Sequence, residues 1–130
     1  MSIYSIPIEI RFRDIDMNHH VNNAVYFTYM ENARSAVLME EMIKYHSEDI
    51  QFVISEANCK YKRPIKLNDK LVCEVSFVPL RPTSCKIKYL FKNVQSGVLY
   101  AEGTTQMVLF NANSGRPMAI PDWFTKKYLG

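Results

Sequence analysis

The sequence predicts an α+β fold, one long central helix wrapped by a five-stranded antiparallel sheet. Three observations carry that prediction. A single segment, Ala24 to about His46, has apolar residues at helical spacing and contains neither glycine nor proline. Five other segments alternate apolar and polar residues with period two. The connections between the later strands are short and turn-like, which suits antiparallel neighbours.

In the first strand Ile6, Ile8, Ile10 and Phe12 alternate with Pro7, Glu9, Arg11 and Arg13, and the pattern stops at Asp14. The helix follows. Phe27, Met30, Ala33, Val37, Met39, Met42 and Ile43 lie around more than one stripe, so it should be covered on several sides. Asn22 and Asn23 suit its start, because an asparagine oxygen accepts the orphan N–H groups of a first turn. Four strands come next. Val53, Ser55, Ala57, Cys59 and Tyr61 form one face of the second. Leu71, Cys73, Val75 and Phe77 form that of the third, and Cys85, Ile87, Tyr89 and Phe91 that of the fourth. Leu99, Ala101, Gly103, Thr105, Met107 and Leu109 form that of the fifth. The linking turns are Leu67 to Asp69, Arg81 to Thr83 and Asn93 to Gly97. The tail NSGRPMAIPDWF reads as a turn, an irregular crossing and a short final helix. A twisted sheet curling around an apolar helix is the economical way to bury both. Two α+β arrangements have this element order, the hotdog and the cystatin-like fold, and periodicity alone does not separate them.

With 130 residues the chain is expected to form one domain, residues 1–130. Such a domain buries about two-thirds of its unfolded surface. That leaves little room for a deep private cavity, so a large site would need a second copy of the chain. At 48% apolar and 22% charged the composition is that of an ordinary globular protein. No stretch approaches a membrane span, and no basic start with an apolar run marks a signal peptide. Cys59, Cys73 and Cys85 are odd in number, lack ligand spacing and fall on apolar strand faces, which predicts buried reduced thiols and a cytoplasmic protein. The net charge of +3 is too mild to argue for nucleic acid, and no aromatic–basic stacking motif is present.

Polar groups concentrate at the strand-to-helix junction, RDIDMNHHVNN, Arg13 to Asn23. The longer stretch RFRDIDMNHHVNNAVYFTYMENAR, Arg11 to Arg34, resembles the signature of hotdog-fold acyl-CoA thioesterases of the 4-hydroxybenzoyl-CoA thioesterase type. Phe12, Asp14, Asp16, His20, Val21, Asn22, Asn23 and Tyr26 fit that pattern. YKRPIKLNDKL (Tyr61 to Leu71) is similar to the family's Arg-Pro and Gly-Asp segment, and GRPMAIPDWF (Gly115 to Phe124) to its tail. His19 and Asn68 stand where the family has glycine.

The resemblance implies hydrolysis of an acyl-CoA, or acyl-carrier-protein, thioester to a free carboxylic acid and thiol, with no cofactor. It gives Asp16 the role of nucleophile or of general base for water. From the residues alone, a helix-capping aspartate is the other reading. Asp14 is expected to bond loop amides. The resemblance also makes the backbone N–H of Asn23 a donor to the thioester carbonyl. Helix-start amides have no intrahelical partner and carry positive partial charge, which suits an oxygen that gains negative charge. His20 and Asn22 are expected to border the substrate, and Tyr26 and Met30 to shape an acyl slot beside the helix. No His–Asp/Glu spacing resembles a metal site, so no metal is expected.

Lys60, Lys62, Arg63 and Lys66 form one basic cluster, and Arg81, Lys86, Lys88 and Lys92 another. Such clusters ordinarily mark a solvated sheet face. The alternative is recognition of coenzyme A phosphates, for which arginine forks are suited. By resemblance, Arg81 and Ser84 are the first choices for that contact and Arg63 the second. The family further implies a homodimer or homotetramer with sheets joined edge to edge, which would also pair an otherwise exposed edge strand. The alternative function is a non-catalytic protein that binds acyl-CoA or acyl carrier protein without turning it over.

Overall fold

In the computed structural model residues 2–46 and 48–130 are described. The elements run β1 (Tyr4–Ile8), a 3-10 turn (Phe12–Asp14), α1 (Val25–His46), β2 (Ile50–Tyr61), β3 (Leu71–Arg81), β4 (Ser84–Asn93), β5 (Leu99–Asn111), β6 (Arg116–Pro117) and α2 (Asp122–Phe124), which continues as a π-helical turn (Thr125–Leu129). The five expected strands and the long helix are present, and the two-residue β6 is a sixth strand that pattern did not reveal.

Every strand pairing is antiparallel, in the order β1-β3-β4-β5-β2, with β6 beside β5. The β3–β4 and β4–β5 turns join neighbours, as their lengths require. The β2–β3 connection does not. Segment 62–70 crosses from one edge region of the sheet to the other. It is anchored by Ile65, fully buried, whose carbonyl accepts the Val21 N–H at 2.8 Å. The Lys62 and Arg63 amides both donate to the Tyr100 carbonyl, at 2.9 and 3.0 Å. At Lys66 to Asp69 a side-chain turn, with the Lys66 N–H donating to Asp69 Oδ2 at 2.8 Å, mimics the tight loop of a hairpin. Asn68 is not among the residues with positive φ, so no glycine-like backbone is needed there.

The first strand is shorter than its alternation implies. Its register ends at Ile8 opposite Leu71, where β3 itself begins, so nothing remains to pair with. Beyond it the Asp14 carboxylate accepts the Arg11 N–H at 3.0 Å, the chain coils, and Phe12 is left 82% exposed instead of on the buried face. In β2 a register shift between Ile54 and Glu56 reverses the two faces. Before it Phe52 and Ile54 pack on the core and Val53 is exposed. After it Cys59 turns inward. A single alternation running from Val53 to Tyr61 therefore holds for only the second half.

The remaining strand faces match their patterns. Leu71, Cys73, Val75 and Phe77 of β3 are buried. So are Cys85, Ile87, Tyr89 and Phe91 of β4, and Ala101, Thr105, Met107 and Leu109 of β5. Against them α1 packs Tyr26, Tyr29, Met30, Ala33, Leu38 and Tyr45. Met30 packs directly on Gly103 of β5, its thioether filling the space a Cβ there would take. Phe27, Met39, Met42 and Ile43 are exposed on the chain's own surface, contrary to the expected all-round cover. The apolar stripe they belong to is wider than one sheet can bury. Cys73 and Cys85 are buried and Cys59 half-buried, all three free, and burial raises each thiol above its ordinary pKa. The α2 segment closes the far end of the core, where Phe124 and Tyr128 pack on Phe77.

Candidate active site

The polar junction folds into a small hairpin. Ile15 bridges Val21, the Asp16 N–H donates to the His20 carbonyl at 2.9 Å, and the His19 N–H donates to the Asp16 carbonyl at 3.0 Å. Closing so tight a loop requires a left-handed residue, and His19 supplies it with φ of +62°. Glycine would do so without a Cβ penalty, which accounts for the family's preference at this position. The hairpin is tied to the helix through Asp14. Its carboxylate accepts the Tyr29 hydroxyl at 2.6 Å and its carbonyl accepts the Asn22 N–H at 2.9 Å, so this aspartate is structural. Burial and the neighbouring carboxylate together push the Tyr29 phenol well above its usual range, keeping it the proton donor.

The hairpin, the start of α1 and the end of β2 enclose an open cleft of about 350 Å³. Asp16, His20, Asn22, Asn23, Tyr26 and Arg63 all line it, together with Asn18, Tyr61 and Lys62. Asp16 is half-buried. Its Oδ1 accepts the Asn18 N–H at 2.9 Å, and Oδ2 has no partner among the described residues. At the helix start the amides are used unequally. The Asn22 N–H goes to Asp14, the Ala24 N–H to Asn22 Oδ1 and the Val25 N–H to the Asn22 carbonyl, each at 2.9 Å. The Asn23 N–H between them has no hydrogen bond among the described residues. Asn22 is thus the cap that the sequence suggested. The Asn23 side chain caps nothing there, although its backbone carbonyl accepts the Tyr61 hydroxyl at 2.8 Å.

Tyr26 is 2% exposed and forms the cleft floor. Its ring meets Tyr61 edge-on at 4.8 Å and Phe91 at 5.7 Å. Burial lifts its phenol to about 12, so it stays protonated. Met30 lies deeper, beneath a separate recess lined by Phe27, Arg34, Ile54 and Ala57, and does not border this cleft. Arg81 and Ser84 are not brought here either. They pair across the β3–β4 turn, seven residues along β4 from Phe91, or about 23 Å at the strand repeat. Ser84 is buried, with its hydroxyl unpartnered among the described residues. Sequence reading missed Tyr61 as part of the site. Its only signal was its place at the end of β2, just before the Arg-Pro segment. Among the described residues no group of His, Cys, Asp and Glu could hold a metal ion.

Comparison with known proteins identifies the family and the fold. Over 128 residues the chain is 23% identical to the acyl-CoA thioester hydrolase YbgC of Escherichia coli O6:H1, with 92% of this chain and 91% of that protein covered. It is 25% identical to the long-chain acyl-CoA thioesterase FadM of Escherichia coli K12 over 115 residues, with 87% of each covered. The crystal structure of a thioesterase from Thermus thermophilus, complexed with coenzyme A and zinc, superposes with a TM-score of 0.80 at 31% identity, covering 95% of this chain and 90% of that one. The arrangement of one long helix against the antiparallel sheet is therefore the hotdog fold rather than the cystatin-like one. The family model of the thioesterase-like superfamily matches residues 10–128, which takes in every residue lining the cleft, and the chain belongs to that superfamily.

Proposed function

We propose that this cleft hydrolyses acyl-CoA thioesters to a free carboxylic acid and CoA, within one catalytic unit spanning residues 1–130. The observation that carries the reading is the meeting of a half-buried carboxylate, Asp16, and the amide of Asn23, without a partner among the described residues, in one cleft at a helix start. Asp16 either takes the proton of a water attacking the thioester carbon or attacks that carbon itself. The Asn23 N–H stabilises the carbonyl oxygen as it becomes negative, and the positive end of α1 adds to the effect. In the first case the C–S bond then breaks, the free acid forms and the proton held by Asp16 passes to the leaving thiolate. In the second the C–S bond breaks to give an acyl–Asp16 anhydride and a thiolate that is protonated from solvent, and water then hydrolyses the anhydride to release the acid and restore Asp16. His20, Asn22 and Tyr26 form the walls, while Lys62 and Arg63 at the rim suit coenzyme A phosphates. Arg81 and Ser84 are no part of that surface within one chain.

The protein works as a homodimer or homotetramer in the cytoplasm. Two features support assembly: β2 is a twelve-residue edge strand with Val53 exposed on it, and the apolar residues Phe27, Met39, Met42 and Ile43 are left uncovered on α1. Three free thiols fit a reducing compartment, and among the described residues no helix is long and apolar enough to cross a membrane.

The test is thiol release from a panel of acyl-CoAs of varied length and aromaticity, run on wild type, Asp16→Asn and Asp16→Ala. A large rate loss in both variants is expected, and equal rates in all three would remove Asp16 from the chemistry. Tight thioester binding with no thiol release by the wild type would point to the non-catalytic alternative.

A further inference from the structure

We propose that Tyr61 is a positioning residue, whose hydroxyl holds the Asn23–Ala24 peptide so that the neighbouring Asn23 N–H stays free for substrate. The inference rests on the reading of Asn23 as the donor to the thioester carbonyl. Asn23 lies just ahead of α1, and its carbonyl takes no backbone donor among the described residues: the Phe27 N–H goes to the Ala24 carbonyl, at 3.3 Å, and the Asn23 carbonyl accepts the Tyr61 hydroxyl at 2.8 Å. The same peptide is held at its other end by the Ala24 N–H on Asn22 Oδ1. The preceding peptide is held by the Val25 N–H on the Asn22 carbonyl. Both planes flanking Asn23 are thereby fixed. Two of these ties are local, between Asn22 and the residues that follow it. The remaining one comes from across the cleft, from the last residue of β2.

Tyr61 is placed for that task. Its ring lies edge-on to Tyr26 at 4.8 Å, which fixes the hydroxyl's direction, yet the residue is 41% exposed and contributes little to the core. Burial raises its phenol above the ordinary range, so it remains a donor across physiological pH. Without the hydroxyl the Asn23–Ala24 peptide keeps only its tie to Asn22 Oδ1, and the backbone at Asn23 that aims its N–H is held less firmly.

The experiment compares Tyr61→Phe with wild type and Asp16→Ala, measuring kcat, KM and melting temperature with the best acyl-CoA of a panel. Tyr61→Phe keeps the ring and loses only the oxygen, so melting temperature and KM are expected to hold. kcat is expected to fall about tenfold, a fraction of the loss seen when an oxyanion donor is removed outright. An unchanged kcat, or a loss matched by a rise in KM or by unfolding, would overturn the assignment while leaving Asp16 in place. Full activity in Asp16→Ala would instead strike the reading of the site itself, and Tyr61 with it.

Discussion

At its C-terminal end α1 buries a carboxylate that two donors hold, whereas at its N-terminal end a donor is left unpaired, among the described residues, beside a half-buried acid. Glu41 is 5% exposed and accepts both the Lys127 ammonium, at 2.7 Å, and the Tyr128 hydroxyl, at 2.6 Å. Tyr45, one turn on, stacks on Trp123 at 5.4 Å. At the other end Asn23 keeps its N–H unpaired among the described residues, and His19 holds a left-handed backbone conformation that few side chains favour. The helix's 22 residues separate the two ends by about 33 Å. The closed end carries a buried, hydrogen-bonded acid, and the open end carries the groups to which the proposed chemistry is assigned.

That division can be broken experimentally in a graded way. The largest effect should come from the open end. Asp16→Ala is expected to lower kcat by about 10²–10⁴-fold, the range for a lost acid–base group, with the melting temperature nearly unchanged. Glu41→Ala should do the reverse. The Tyr128 hydroxyl then keeps only the Val37 carbonyl, at 3.4 Å, and the lost bonds cost about 1–2 kcal/mol, read as a lower denaturation midpoint, while kcat below the melting temperature stays at the wild-type value. Loss of stability with Asp16→Ala, or loss of kcat with Glu41→Ala, would show that the two ends are not independent.

The acid response sharpens the contrast. Burial alone would raise the pKa of Glu41, but the hydrogen bonds from Lys127 and Tyr128 outweigh it and leave the folded value below the usual glutamate range. The unfolded chain then binds the proton more readily than the folded one. The stability from Glu41 is complete above the unfolded-state pKa and is lost as pH falls through the lowered folded value. Glu41→Gln removes this dependence, so between about pH 5 and pH 3 the variant's urea midpoint should fall less steeply than that of the wild type. Equal slopes would show that other carboxylates dominate acid sensitivity. The smallest effects are expected at His19. In His19→Gly the relief of the Cβ and the added freedom of the unfolded chain offset each other, giving a change within about 0.5 kcal/mol. His19→Val, β-branched at positive φ, should cost about 1–2 kcal/mol. A neutral His19→Val would mean that the hairpin relaxes to another backbone.

Most of the sheet was legible because β3, β4 and β5 run as neighbours through short turns and keep one face buried throughout, so period two maps directly onto burial. The readings that failed did so where pairing changes along a strand. Phe12 follows the alternation but outlives its partner strand, and Val53 lies ahead of a bulge that no local pattern announces. The β2–β3 connection reads as a tight turn because Asp69 makes one locally, yet it belongs to a crossover. Within the site, the motif residues from Asp16 to Tyr26 come together because they are adjacent in sequence. Arg63 joins them through the crossover. Arg81 and Ser84 have suitable chemistry but lie at the opposite end of the strands, and Tyr61 joins only because β2 ends against the start of the helix.

The order of the elements, the helix from its first turn to His46, the inner faces of three strands and the polar junction were determined by the sequence itself, because each rests on the chemistry of residues near one another in the chain. Strand order, the reversal within β2, the closure of Glu41 by the C-terminal segment and the entry of Tyr61 into the cleft were decided only in three dimensions. Each depends on which distant segment arrives as a neighbour. Hydrogen-bond partners and burial are properties of that neighbour as much as of the residue itself.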